Sequence, residues 1–384
     1  MIKAENRALI LATVGMAAAF VVWGVMAPLA SQLQQVYELS NTQISILLAT
    51  PVVLGAILRI PMGLLTDRFG GRVVYTFLFL FLVIPLLFLG LSQSFSSLLF
   101  WAFWLGFAGT SFAVSIAYVT RWFPPENQGL VLGIAGLGNL GISIANFGIP
   151  KLAERMEIGQ IFWSLIPLVL VMAVVMWIWA GKEPRAAKPK SISGNLKVMK
   201  EERMVWILSF FYFLTFGGFV AFSLYLPKLY IDLFELTKAD AGLRAATFGL
   251  IATAARPVGG YLADKYGGKQ ILNFVFAVAL GIAIALLFPL DLLTLTTLSF
   301  ILAIFLGLGN GAVFKLVAQY FPENTGLVTG IVGAAGGLGG FFPPLVMGLS
   351  KDYLDSYILG FGLLALYALG AFLTNIVLLR KERA

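Results

Sequence analysis

Apolar residues in this chain gather into runs of about 20, each long enough for a helix to cross a bilayer core, with short polar breaks between them. Twelve membrane spans are predicted: 8–30 (span 1), 43–65 (span 2), 73–91 (span 3), 97–119 (span 4), 129–150 (span 5), 161–180 (span 6), 204–227 (span 7), 244–263 (span 8), 270–290 (span 9), 294–316 (span 10), 326–348 (span 11) and 357–379 (span 12). The first run is longer than a signal-peptide core and reads as a retained span. The only long polar stretch, 181–203, lies at the midpoint and is rich in Lys and Pro. It reads as a linker between two six-span halves, 1–180 and 204–384. The expected fold is an all-α membrane protein of two pseudo-symmetric six-helix bundles.

The two halves repeat at an offset of 197 residues. RIPMGLLTDRFGGR begins at Arg59 and RPVGGYLADKYGGK at Arg256. Both contain G-x-x-x-D-[RK]-x-G-x-[RK], with Asp67 and Asp264 in matching places. The same offset joins Pro125-Glu126-Asn127 to Pro322-Glu323-Asn324, and Gly133 and Gly136 to Gly330 and Gly333. One offset shared by separate motifs indicates a parallel duplication, and carriers built this way bind substrate near the midplane between their halves.

Composition narrows the chemistry. The chain is 60% hydrophobic and 11% charged, with no cysteine and no histidine. That excludes disulfides, thiolate or imidazole metal sites and a histidine proton relay, and no metal or cofactor is expected. A G-x-x-x-x-G-K-[ST] phosphate loop is also missing, which argues against ATP-driven transport. The net charge of +8 is a matter of topology and not of nucleic-acid binding. Of 26 Lys and Arg residues, 17 fall on the side shared by both tails and the central linker, 6 on the other side, and 3 inside spans. This bias predicts cytoplasmic termini in an inner, cytoplasmic membrane.

The three intramembrane cations are Arg59, Arg256 and Lys315. Arg59 lies eight residues inside Asp67, about 12 Å along a helix, against an apolar half-thickness of about 15 Å. A charge at that depth is costly, and meeting the cost at two equivalent places suggests one shared site. The acidic residues all fall in loops, tails or span ends, so the arginines call for an external anion. A guanidinium matches a planar oxyanion through paired hydrogen bonds, a geometry lysine lacks. The Asp67 and Asp264 carboxylates, at the span ends, are expected to latch the halves in one state. Glycine stripes in spans 5 and 11 (Gly133 and Gly136; Gly330, Gly333 and Gly337) are expected to pack helices closely or let them bend.

Further motifs then carry a resemblance. GIAGLGNLGISIANFGIP (133–150), GIVGAAGGLGGFFPP (330–344), YFLTFGGFVAFS (212–223), GLGNGAVFK (307–315) and SFAVSIAYVTRWFP (111–124) together resemble the nitrate/nitrite porter family of the major facilitator superfamily. The resemblance implies alternating access with nitrate or nitrite clamped between Arg59 and Arg256. It implies flanking rings Phe112, Tyr212 and Phe216, with Asn139 and Asn310 as polar contacts. Some members carry a lysine in span 1, whereas 8–30 here holds no charge, which leaves Lys315 as a possible coupling group. The expected function is nitrate/nitrite exchange by a monomer. The alternatives are proton-coupled nitrate symport, or carriage of another anion such as an organic phosphate or carboxylate. No enzymatic activity is expected, since no mid-span carboxylate, histidine or cysteine offers an acid, base or nucleophile.

Overall fold

The computed structural model describes residues 3–123, 128–181, 202–321 and 325–383. The repeated Pro-Glu-Asn motif and most of the linker lie outside the described residues. Among those described, every regular element is helical. Ten helices are long and apolar enough to cross a membrane, and the bent pair Asn41–Ile57 and Arg59–Phe69 makes an eleventh. The twelfth is the 29-residue helix Lys238–Tyr266. It is long enough to span but carries Asp240, Arg244, Arg256 and Asp264, which dilute its apolar character. The chain is thus an all-α membrane protein with the predicted twelve spans.

Several spans are not continuous α-helix. Span 1 runs Ala4–Trp23, then a 3-10 turn at Ala27–Leu29, then Ala30–Val36. Span 4 is Phe95–Leu105, a 3-10 segment Gly106–Thr110, and Ser111–Thr120. Span 5 breaks in the same way at Gly136–Asn139. The repeat partners of spans 1 and 4, which are spans 7 (Arg203–Phe234) and 10 (Leu292–Tyr320), are unbroken, whereas span 11, the partner of span 5, is divided into Thr325–Gly339 and Phe342–Leu354. Span 2 bends by 43° between Ile57 and Arg59. Pro61 explains the bend: it donates no hydrogen bond to Ile57, four residues back, and its ring crowds that carbonyl.

The loops between spans 2 and 3 and between spans 8 and 9 turn on glycine. Gly70 (φ 87°) and Gly267 (φ 90°) stand 197 residues apart and are the only glycines of positive φ among the described residues. A side chain at either would be strained, so the paired motif is partly a turn requirement.

The chain divides into two compact units: Met1–Leu39, Thr50–Ser191 and Leu224–Ala246 in one, and Ser40–Ala49, Ile192–Ser223 and Thr247–Ala384 in the other. The first unit holds most of the first half of the repeat together with the end of span 7 and the start of span 8, and the second holds most of the second half together with the start of span 2. Specific contacts anchor these borrowed ends. In the first unit, buried Lys228 donates to Gln34 Oε1 at 2.7 Å and pairs with Asp232 at 2.6 Å. A Cβ on Gly242 would come within 2.8 Å of Pro150. In the second unit, the Asp352 carboxylate accepts from the backbone N–H groups of Asn41 (3.0 Å) and Thr42 (2.7 Å), capping the start of span 2. A Cβ on Gly348 would reach 2.5 Å from the Asn41 carbonyl oxygen.

Candidate functional site

In the first unit, Arg59 opens the helix segment that follows the Pro61 bend and is 2% exposed. Its guanidinium carbon lies 4.9 Å from the centre of the Phe112 ring on span 4, within cation–π range. Asn139, 3% exposed, ends the 3-10 segment of span 5. Its amide donates to the Gly136 carbonyl at 2.9 Å, and its own carbonyl oxygen accepts no hydrogen bond among the described residues.

In the second unit, Arg256 is 8% exposed and its guanidinium carbon lies 5.2 Å from the Phe314 ring on span 10. Phe314 meets Tyr212 edge-on, with centroids 4.7 Å apart, and Tyr212 stacks on Phe216 at 5.0 Å. One aromatic chain thus runs from Arg256 to the two predicted rings on span 7. Asn310, on the same span as Phe314, is buried, and its carbonyl oxygen is likewise without a hydrogen bond among the described residues.

The two motif carboxylates have basic partners. Asp67 pairs with Arg121 at 3.4 Å, and Asp264 pairs with Lys315. Arg121 closes span 4, and Lys315 lies in span 10, the equivalent span, but one helical turn away from the residue the repeat would select. The structure therefore brings Lys315 together with Asp264, at a half-exposed position near the end of its span.

A sequence model described as "Major Facilitator Superfamily" matches residues 11–344. This chain belongs to that superfamily. It is 37% identical to the "Nitrite extrusion protein" of Bacillus subtilis over 383 residues, covering 100% of this chain and 97% of the relative. It is 38% identical to the "Probable nitrate transporter NarT" of Staphylococcus carnosus over 378 residues, covering 97% and 96%. It is 33% identical to the "Probable nitrate/nitrite antiporter NarK1" of Thermus thermophilus, covering 98% and 93%. Within the superfamily it falls in the nitrate/nitrite porter family that its motifs resemble. Among solved structures, a bacterial homologue of the human lysosomal transporter Spinster, in an inward-facing and unoccupied conformation, shares the fold with a TM-score of 0.72 at 16% identity, covering 98% of this chain and 95% of that one.

The glycines of this major facilitator chain divide into packed and open sets. A Cβ on Gly55 would stand 2.9 Å from the Gly106 carbonyl oxygen, so spans 2 and 4 touch backbone to backbone just before Arg59. One turn past the arginines, Gly63 and Gly260 have nothing within 4 Å of a Cβ, and Gly133 and Gly330 are equally open. Gly336, next to Gly337 and absent from the predicted set, makes room for the Tyr212 ring. Gly333 and Gly337 lie in the helix Thr325–Gly339, where the Gly337 carbonyl accepts from Gly340 as that helix ends.

Two residues escaped sequence reasoning. Phe314 takes the place beside Arg256 that Phe112 takes beside Arg59, yet the 197-residue offset carries Phe112 onto Gly309. The offset similarly carries Arg121 onto Ala318, so the pairing of Asp264 was hidden. In both cases the available signal was chemical, an aromatic or a base on the equivalent span, and not positional.

Proposed function

We propose that this chain is a secondary transporter moving nitrate and nitrite across the cytoplasmic membrane by alternating access, with Arg59 and Arg256 holding the anion. The observation carrying this reading is the matched pair of buried arginines, 197 residues apart, each set against an aromatic ring in its own unit. A ring beside a guanidinium excludes water from it, and a guanidinium matches a planar oxyanion through paired N–H donors. The names borne by relatives covering nearly the whole chain support the same substrates. Asn139 and Asn310 supply neutral polar contacts, and Tyr212 and Phe216 wall the site through Phe314. The 17 to 6 charge bias supports a reading with both termini in the cytoplasm, and the proposed carrier is a monomer.

The test is uptake of labelled nitrate into proteoliposomes. Nitrite should compete, whereas organic phosphates and carboxylates in tenfold excess should not. Competition by a carboxylate as strong as that by nitrite would favour a carrier for another anion.

The Asp67–Arg121 and Asp264–Lys315 pairs are read as the latch that sets the balance between carrier states. Exposed pairs of this kind contribute about 0.2–1 kcal/mol each, enough to bias a conformational equilibrium but not to fold a bundle. Asp67→Asn and Asp264→Asn should therefore slow maximal uptake by up to about fivefold while nitrate affinity changes less than twofold. Uptake kinetics beside equilibrium binding give the answer. A large loss of affinity at unchanged turnover would place these carboxylates in the binding site instead.

A further inference from the structure

We infer that Tyr75, on span 3, is a positioning residue that fixes the Phe112 ring beside Arg59; the inference rests on the anion-site reading above. Phe112 sits on a segment of span 4 that the helix itself does not hold firmly. The α-helical pattern is interrupted from Gly106 to Thr110 and resumes at Ser111, one residue before Phe112. A 3-10 stretch has weaker hydrogen-bond geometry than an α-helix, so the start of the following segment needs an external anchor.

Tyr75 is that anchor. It is fully buried, and its hydroxyl lies 3.1 Å from the Ser111 carbonyl oxygen, 3.3 Å from the Ala12 carbonyl oxygen and in contact with Ser115 Oγ. Ser115 Oγ in turn donates to the Ala12 carbonyl at 2.9 Å. One hydroxyl node therefore ties spans 1, 3 and 4 together next to the residue that presents the ring. The tyrosine is itself held: its ring stacks on Phe79, and Gly15 of span 1 lies against it.

The other half of the repeat supports the assignment by contrast. At the offset of 197, Tyr75 becomes Leu272 and Ser115 becomes Ala312, so the hydroxyl node has no counterpart there. Span 10, which presents Phe314 to Arg256, is an unbroken helix from Leu292 to Tyr320. Where the helix is continuous the pin is absent, and where it is interrupted the pin is present. A tyrosine needed only to fill the core would show no such correlation with the break beside the ring.

The experiment is Tyr75→Phe in the full chain, reconstituted in liposomes loaded with nitrite. The ring and its packing are kept, and only the hydroxyl is lost. The KM for nitrate should rise about tenfold with maximal uptake within twofold of the parent, the pattern of a disturbed binding geometry. In a Phe112→Leu background the same substitution should change KM less than twofold, because the ring it positions is gone. An unchanged KM in Tyr75→Phe, or an equal tenfold rise with and without Phe112, overturns the inference. A purely structural role would instead lower the thermal midpoint and maximal rate together, and that outcome also overturns it. If Tyr75→Phe does not accumulate, Ser115→Ala removes the second hydroxyl of the node and is judged by the same criteria. Normal transport by Arg59→Lys would sink the anion-site reading itself, which keeps the two failures apart.

Discussion

Replacing either buried arginine by lysine should abolish nitrate transport, with uptake falling at least about a hundredfold in Arg59→Lys and in Arg256→Lys while protein yield stays normal. The formal charge is preserved, so the loss isolates geometry. A guanidinium offers two parallel N–H donors to one edge of a planar anion while its face lies on a ring; an ammonium offers a single point of charge. The guanidinium carbons of Arg59 and Arg256 lie 4.9 and 5.2 Å from the Phe112 and Phe314 ring centres, a contact geometry that a lysine ammonium does not reproduce. Burial adds a second penalty, since a lysine in so dry a position gives up its proton far more readily than an arginine. Uptake and equilibrium nitrate binding in detergent should fail together. If either lysine variant binds nitrate within threefold of the parent, that arginine does not hold the anion.

The sequence was most informative where apolar length alone decides structure. Runs such as 73–91 and 270–290 became helices near their predicted places because a backbone in lipid has no other means of satisfying its polar groups. The starts of spans 7 and 12 were also found closely, although span 7 extends to Phe234, beyond the apolar run. The glycine turn at Gly70 and Gly267 was legible because a positive φ has one ready chemical signature. The interruptions in spans 1, 4 and 5 were not legible. A shift from α to 3-10 depends on tertiary neighbours, and the hydroxyl of Tyr75, which donates to the Ser111 carbonyl where the α-helix resumes, lies 36 residues away.

The candidate site shows the same division. Both arginines stood out as charges at depth, and burial of each follows from their placement in apolar runs. The ring beside Arg256 did not stand out, since a phenylalanine among 33 phenylalanines carries no signal without its neighbour. Nor did the packing of 40–49 with the unit that contains Asp352. The capping of Asn41 and Thr42 joins residues some 310 positions apart, and nothing local in either segment announces it.

Nitrate entry into vesicles should require an anion inside to leave. With internal nitrite, labelled nitrate uptake is expected to be at least tenfold faster than into empty vesicles, and an imposed proton gradient should change it less than twofold. The argument is electrostatic. Two arginines carry +2, and one bound nitrate or nitrite leaves +1, so the empty site is the more strongly charged state. Enclosing that extra charge away from water costs several kcal/mol even after relaxation, so the loaded carrier switches more readily than the empty one. Proton coupling needs a group that titrates while facing each side in turn. The candidate left by the sequence was Lys315, and its ammonium is bound to the Asp264 carboxylate at a position where the two side chains are 41% and 57% exposed. A lysine paired with a carboxylate of its own unit near the end of its span is placed to act on the latch and not to carry a proton past the anion site. Lys315→Ala should therefore slow exchange as a latch variant does and leave its dependence on internal nitrite unchanged. Rapid uptake into vesicles without internal anion, driven by an inward proton gradient and lost in Lys315→Ala, would establish symport instead.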